Sequence, residues 1–184
     1  MHALLLALFL LTAPGSATSP ELKAETTRLS AELRERVAAG RWEAADGSYR
    51  RLSTLEGAAL SYEDHWAGFL AAQSLGDAIA QAQRLEAARA VRATEDTDYA
   101  LAMLMAWYGR VDLHVSKRLD PRPTLTMEVV PFEPDQRRVL EAANEAILRE
   151  GSYSGLLPLG IYRIGETRFD IVGEELPVPV KVKR

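Results

Sequence analysis

One change of period divides this sequence in two. Up to Gly109 the apolar residues recur at three and four positions, the spacing of one helix face. From Val111 they alternate with polar residues, the spacing of a strand. A chain with that switch sets packed helices beside a strand-rich unit, an α+β arrangement. With 184 residues and 47% hydrophobic content it has length and apolar mass for one or two small domains.

In the first part, Pro20-Glu21 opens a helix marked by Leu22, Leu29, Leu33 and Val37, which Gly40 ends. A second helix starts at Arg41, presents Trp42, Ala45, Tyr49 and Leu52, and breaks at Gly57. Ser61 precedes Glu63 and Asp64 and can cap a third, carrying Trp66, Phe69, Leu70 and Gln73. A fourth follows Gly76, with Ile79, Ala82, Leu85 and Ala88 inward. A fifth, from about Thr94, carries Tyr99, Ala102, Met103, Met105 and Ala106 and ends near Gly109. Gly40 and Gly76 lie 36 positions apart and Gly109 lies 33 further on. Both intervals are close to the ~34-residue period of stacked helical hairpins. The run Ala100–Tyr108 is apolar on more than one face, which predicts cover on two sides, the second supplied by the segment that follows it.

Gly40, Trp42, Ala45, Tyr49 and Leu52 resemble the turn and second helix of a tetratricopeptide repeat, and Gly76-Asp77, Leu85 and Ala88 resemble the same half of the next unit. The resemblance implies antiparallel hairpins with a concave docking surface on the acidic side of the first four helices. An ordinary antiparallel bundle is the alternative, because periodic faces alone do not separate the two.

In the second part, Val111, Leu113 and Val115 alternate with Asp112, His114 and Ser116, and Leu125, Met127 and Val129 alternate with Thr124, Thr126 and Glu128. Pro131-Phe132-Glu133-Pro134 ends the second strand, and a helix over 134–150 buries Val139, Ala143, Ala146 and Ile147 before stopping at Gly151. A two-residue loop at Gly165-Glu166 pairs Ile164 with Thr167 and Tyr162 with Phe169, giving one apolar surface with Ile171. Val178, Val180 and Val182 form a last strand, held to an edge by Pro177 and Pro179. Leu157-Pro158-Leu159-Gly160-Ile161-Tyr162 resembles the Pro-x-Gly-x-Tyr stretch of small transthyretin-like and PEGA-type β-sandwich modules of envelope proteins. A compact α+β domain with the helix on one sheet face is the alternative. The expected organisation is a segment 1–17, a helical-hairpin domain over 18–109, and a small antiparallel β-rich domain over 110–184 containing helix 134–150.

Residues 1–17 read as an export signal. Ala3–Ala13 is an almost unbroken apolar run, too short for a bilayer that needs ~20 residues, and Gly15 and Ala17 suit cleavage before Thr18. A retained anchor is the alternative. The expected location is periplasmic or secreted, without stable membrane insertion after cleavage. The chain has no cysteine, which removes disulfides, thiolate metal sites and cysteine nucleophiles.

The net charge of −4 argues against a nucleic-acid partner. Thr18–Gly109 holds 14 acidic and 10 basic residues, while Arg110–Arg184 is balanced. His65 has Ser61 and Phe69 four positions away, so a zinc pair on one helix face fails. His114 lies on the polar side of its strand. Gly151-Ser152-Tyr153-Ser154-Gly155 places Tyr153 where a nucleophile elbow needs serine and reads as a helix-stop loop. The acid clusters Glu63-Asp64 and Glu95-Asp96-Asp98 stand at helix starts, where carboxylates favour the helix dipole. Trp42, Tyr49, Trp66, Trp107 and Tyr108 read as core. No residue is assigned a catalytic, metal or cofactor-binding role, and no cofactor is expected. The expected function is that of an exported, non-catalytic interaction protein whose hairpins bind a protein partner. The alternatives are an envelope enzyme acting on glycan or peptide through a carboxylate pair, and a structural subunit of an envelope assembly.

Overall fold

The computed structural model describes residues 19–116, 121–129, 133–173 and 177–182. The export-signal run and the end of the second strand at Pro131-Phe132 lie outside the described residues.

Five helices come first: α1 (Pro20–Ala38), α2 (Trp42–Ser53), α3 (Tyr62–Ser74), α4 (Ala78–Val91) and α5 (Glu95–Met105). The starts of α1, α3, α4 and α5 follow from side chains that satisfy the unpaired first-turn amides. Ser19 accepts from Leu22 N, with Pro20 in the first turn. Ser61 forms a reciprocal cap with Asp64, and Thr94 does so with Thr97. The turns after α1 and α3 pass through Gly40 and Gly76 at φ +66° and +64°, a left-handed conformation that costs a side-chain-bearing residue energy. Gly109 does not end a helix. It lies inside the first strand, where a Cβ would overlap the Val172 carbonyl oxygen.

α1 packs on α2 and α3 on α4; the two pairs meet through α2–α3 and α1–α3, and α5 packs on α4. Leu29, Leu33, Ala45, Tyr49, Leu52, Ala67 and Ala71 form one core, and Phe69, Leu85 and Leu101 a second. The expected faces of α2 and α4 are buried at Ala45, Tyr49, Leu52, Ala82, Leu85 and Ala88, whereas Trp42 is only half-buried. On α3 the tightly packed side is made of Ala67, Gly68, Ala71 and Ala72 with Phe69, and Trp66 and Leu70 are only partly covered. On α5 the buried residues are Thr97, Leu101 and Leu104, not Tyr99 and Met103. A run that is apolar all round gives no preferred face, so the period could not choose the inward one.

The second part contains β1 (Tyr108–Val115), β2 (Leu125–Met127), α6 (Pro134–Glu150), β3 (Ser152–Pro158), β4 (Gly160–Ile164), β5 (Thr167–Ile171) and β6 (Val178–Val182). Two three-stranded sheets form, in the orders β3-β1-β6 and β2-β4-β5. The β4–β5 hairpin has the expected register, Ile164 opposite Thr167 and Tyr162 opposite Phe169, and those two rings stack at 5.6 Å. α6 stops at Gly151, which is left-handed at φ +78°. Residues 152–155 are not a helix-stop loop. They are the first half of β3, whose Tyr153 is buried and donates its hydroxyl to Leu156 O at 2.6 Å. β6 is an edge strand as its prolines require, but it runs parallel to β1 while the other pairings are antiparallel.

α6 lies over β3 and also touches β2. Asn144 of α6 accepts from Leu125 N at 2.8 Å and donates to Leu125 O at 2.9 Å, replacing a neighbouring strand for β2. The largest core joins Val139, Ala143 and Ile147 of α6 to Leu113, Leu157, Tyr162 and Ile164 of the sheets. Ala78 and Ala82 of α4, with Leu104 of α5, belong to that same core. The helical and strand-rich parts therefore share buried surface across the expected boundary at 109/110, and β1 already begins at Tyr108.

Candidate functional site

A row of large residues leaves the core on α5 and the turn that follows it. With Thr97, Leu101 and Leu104 turned inward, Tyr99, Met103 and Trp107 step along the opposite side at intervals of four. They are 68%, 49% and 62% exposed. Among the described residues the expected second cover over Ala100–Tyr108 is not found on this side, and Trp107 is not core. The C-terminal part does take the other end of the run. Tyr108 is buried, and the Trp107 carbonyl accepts from Leu159 N at 2.9 Å, so the backbone under the exposed indole is fixed.

This stripe forms one wall of a groove of about 750 Å³. Trp66, Phe69 and Leu70 of α3 form the facing wall, and Glu133, Asp135 and Gln136 at the start of α6 close one end. The aromatic wall is ordered by its own contacts. Trp66 lies 5.0 Å from Phe69 and stacks with Tyr62 at 6.1 Å, 12° from parallel. Tyr62 in turn carries the Arg92 guanidinium 4.0 Å over its ring, and Arg92 pairs with Glu63 at 2.8 Å. Small residues on the packed side of α3 let it approach α2 and α4 closely, which leaves Trp66 and Leu70 partly exposed to the groove.

The groove differs from the expected docking surface, which lay on the first four helices. It is built from α3, α5 and α6, so it needs both parts of the chain. Among the described residues its lining holds Asp96, Glu133 and Asp135 and no Lys or Arg. Asp135 is bonded to Arg138 and sits against Gly76, where a Cβ would overlap its carboxylate. Arg138 also donates to Leu75 O at 3.2 Å, so the start of α6 is fastened to the α3–α4 turn. Burial pushes the Tyr108 phenol up to about 12, and the nearby Asp135 charge acts in the same direction. Tyr108 therefore presents a neutral ring and hydroxyl over the physiological range.

The other residues weighed from the sequence are dispersed. Asp64 caps α3 and accepts from Arg34 at 3.0 Å, while Glu63 turns outward to Arg92. Asp98 pairs with Arg89 at 3.0 Å, leaving Asp96 as the member of its cluster that reaches the groove. His65 is half-buried and bonded through Nδ1 to the Tyr49 hydroxyl at 2.9 Å. His114 is exposed and lies 3.3 Å from Asp112. Among the described residues no three His, Cys, Asp or Glu side chains are grouped to hold a metal ion.

Sequence reasoning missed a buried polar cluster on the packed side of α3. Arg84 of α4, 5% exposed, donates to Asp46 of α2 and, at 2.7 Å, to Gly68 O of α3, with its guanidinium 4.3 Å over the Tyr49 ring. A Cβ on Gly68 would overlap that ring. The available signal was Gly68 itself, because a mid-helix glycine costs ~1 kcal/mol relative to alanine and marks a close approach.

No protein-family model, curated protein or solved structure matches this chain. Among the described residues no helix is long and apolar enough to cross a membrane.

Proposed function

We propose that this chain is an exported, non-catalytic interaction protein that binds a segment of a protein partner in the groove between α3, α5 and α6. The observation that carries the reading is the exposed row Tyr99 and Met103 of α5 with Trp107 in the turn beyond it, on an element whose other side is fixed in the core. Large apolar side chains held rigid at the wall of a groove match the anchors of protein interfaces, where aromatic residues and methionine are enriched. A photo-crosslinking residue at position 103 in living cells should give a discrete adduct, and Trp107→Ala should abolish it. The same residue at the exposed position 145 of α6 should give none. Equal adducts from both positions, or an adduct indifferent to Trp107, would count against the reading.

Export rests on the Ala3–Ala13 run and the small residues before Thr18. Mass spectrometry of the protein from an envelope or secreted fraction should find a mature N-terminus near Thr18; an intact Met1 on cytoplasmic material would reverse it.

A second reading has one observation in its favour. Asp96 and Glu133 border the same aromatic groove, so a carboxylate pair acting on a glycan or peptide remains an alternative activity for this surface. Turnover of envelope glycan or peptide that is lost in both Asp96→Asn and Glu133→Gln would establish it over the docking reading.

A further inference from the structure

We infer that the partner segment is a short linear one with an aromatic or aliphatic anchor next to lysine or arginine. This rests on the docking reading of the groove and adds the chemistry of its occupant.

The charge of the site selects the sign. Asp96 stands on the α5 side and Glu133 at the α6 end, and neither has an ion-pair partner among the described residues. Arg138, close to the acidic end, is already engaged with Asp135 and Leu75 O. An occupant that covers these carboxylates without bringing positive charge would desolvate them uncompensated, and an acidic one would add repulsion.

The same aromatic wall already holds a cation within this chain. Arg92 lies over Tyr62 while pairing with Glu63, and Tyr62 stacks on Trp66. That arrangement combines an aromatic face with a carboxylate, a combination that favours a guanidinium or ammonium group. Tyr99, one helical turn from Asp96, offers the same two elements toward the open groove.

Size sets the form of the occupant. From Tyr99 to the end of α5 at Met105 the helix rises by ~9 Å, at ~1.5 Å per residue, and Trp107 lies two residues further on in the turn to β1. A few extended residues at ~3.3 Å each cover that span. A short segment fits this length better than a folded domain.

Selection of phage-displayed random octapeptides on the full chain tests the inference. Enriched sequences should place Trp, Phe, Leu or Ile beside Lys or Arg. A synthetic peptide of that consensus should lose at least ~10-fold in affinity, about 1.4 kcal/mol, on Trp107→Ala. It should also weaken several-fold on Asp96→Asn with Glu133→Gln and with rising salt. Circular dichroism should show all variants folded like the parent. Enriched neutral or acidic peptides whose binding needs Trp107 would overturn the basic partner and leave the docking groove standing. Absence of enrichment, or peptides indifferent to Trp107→Ala, would overturn both.

Discussion

Arg84 of α4 and Asp46 of α2 form an ion pair across the buried junction of three helices, 38 positions apart in sequence. Asp46 also accepts from the more exposed Arg50 at 2.8 Å, and Arg84 spends its second nitrogen on Gly68 O. Among the described residues no buried side-chain nitrogen or oxygen is left without a partner. A fully satisfied pair of this kind locks α2, α3 and α4 into one register.

The pair should therefore behave as a unit. Asp46→Ala leaves a buried guanidinium without its carboxylate and should cost ~3–5 kcal/mol in urea denaturation. Replacing both partners by apolar residues, Asp46→Leu with Arg84→Met, should recover a large part of that loss. Costs that simply add in the double variant would show that the two residues act independently.

Acidification should loosen the same region. Burial lowers the His65 pKa, only partly opposed by the Asp64 charge, so burial favours neutral His65 in the folded chain, where its Nδ1 is hydrogen-bonded to the Tyr49 hydroxyl. A depressed folded pKa means the unfolded state binds the proton first. This contribution to stability is present above the ordinary histidine value of ~6.5 and is lost as pH falls below it through the folded value. Asp64 acts in a lower window. Burial raises its pKa, but hydrogen bonds from Ser61 and Arg34 outweigh that and hold it below normal. Its contribution is present above the unfolded value of ~3.9 and is lost on further acidification through the folded value. Stability measured between pH 7 and 5 should fall in the parent and fall less in His65→Gln. Equal slopes for the two proteins would remove His65 from this role.

The two parts of the chain should unfold together. Ala78, Ala82 and Leu104 contribute to the strand-rich core, and Asp135 and Arg138 fasten α6 to the α3–α4 turn. A fragment ending at Gly109 would expose those residues and cut through β1, so it should aggregate or lose helix. The chain from Thr18 onward should show a single denaturation transition. Two separated transitions, or a soluble and fully helical fragment, would show that the parts are independent.

Much of this architecture is legible from local signals. Ser61 and Thr94 before acid-rich helix starts, Pro134 and Gly151 around α6, and the Gly165-Glu166 loop each specify their element through neighbours in sequence. What local signals do not carry is long-range pairing. β3 was hidden because Ser152-Tyr153-Ser154-Gly155 is polar and glycine-containing, and it becomes a strand by pairing with β1 from Tyr108 to His114. The parallel β1–β6 pairing likewise depends on where a distant strand docks. The groove was not read from the sequence for a related reason: Ala100–Tyr108 is apolar on every side, so exposure of Tyr99 and Trp107 depends on which face α4 and β1 cover. Arg84 was overlooked because a single arginine on a helix ordinarily reads as solvated.

The central claim is that the Trp107 indole is presented for binding and holds nothing together, and Trp107→Ala tests it most directly. The account predicts a denaturation midpoint equivalent to within ~0.5 kcal/mol of the parent, as for other exposed positions, together with loss of the position-103 cross-link. A destabilisation of ~3–5 kcal/mol, the cost of emptying an aromatic site in a core, with the cross-link retained, would contradict it.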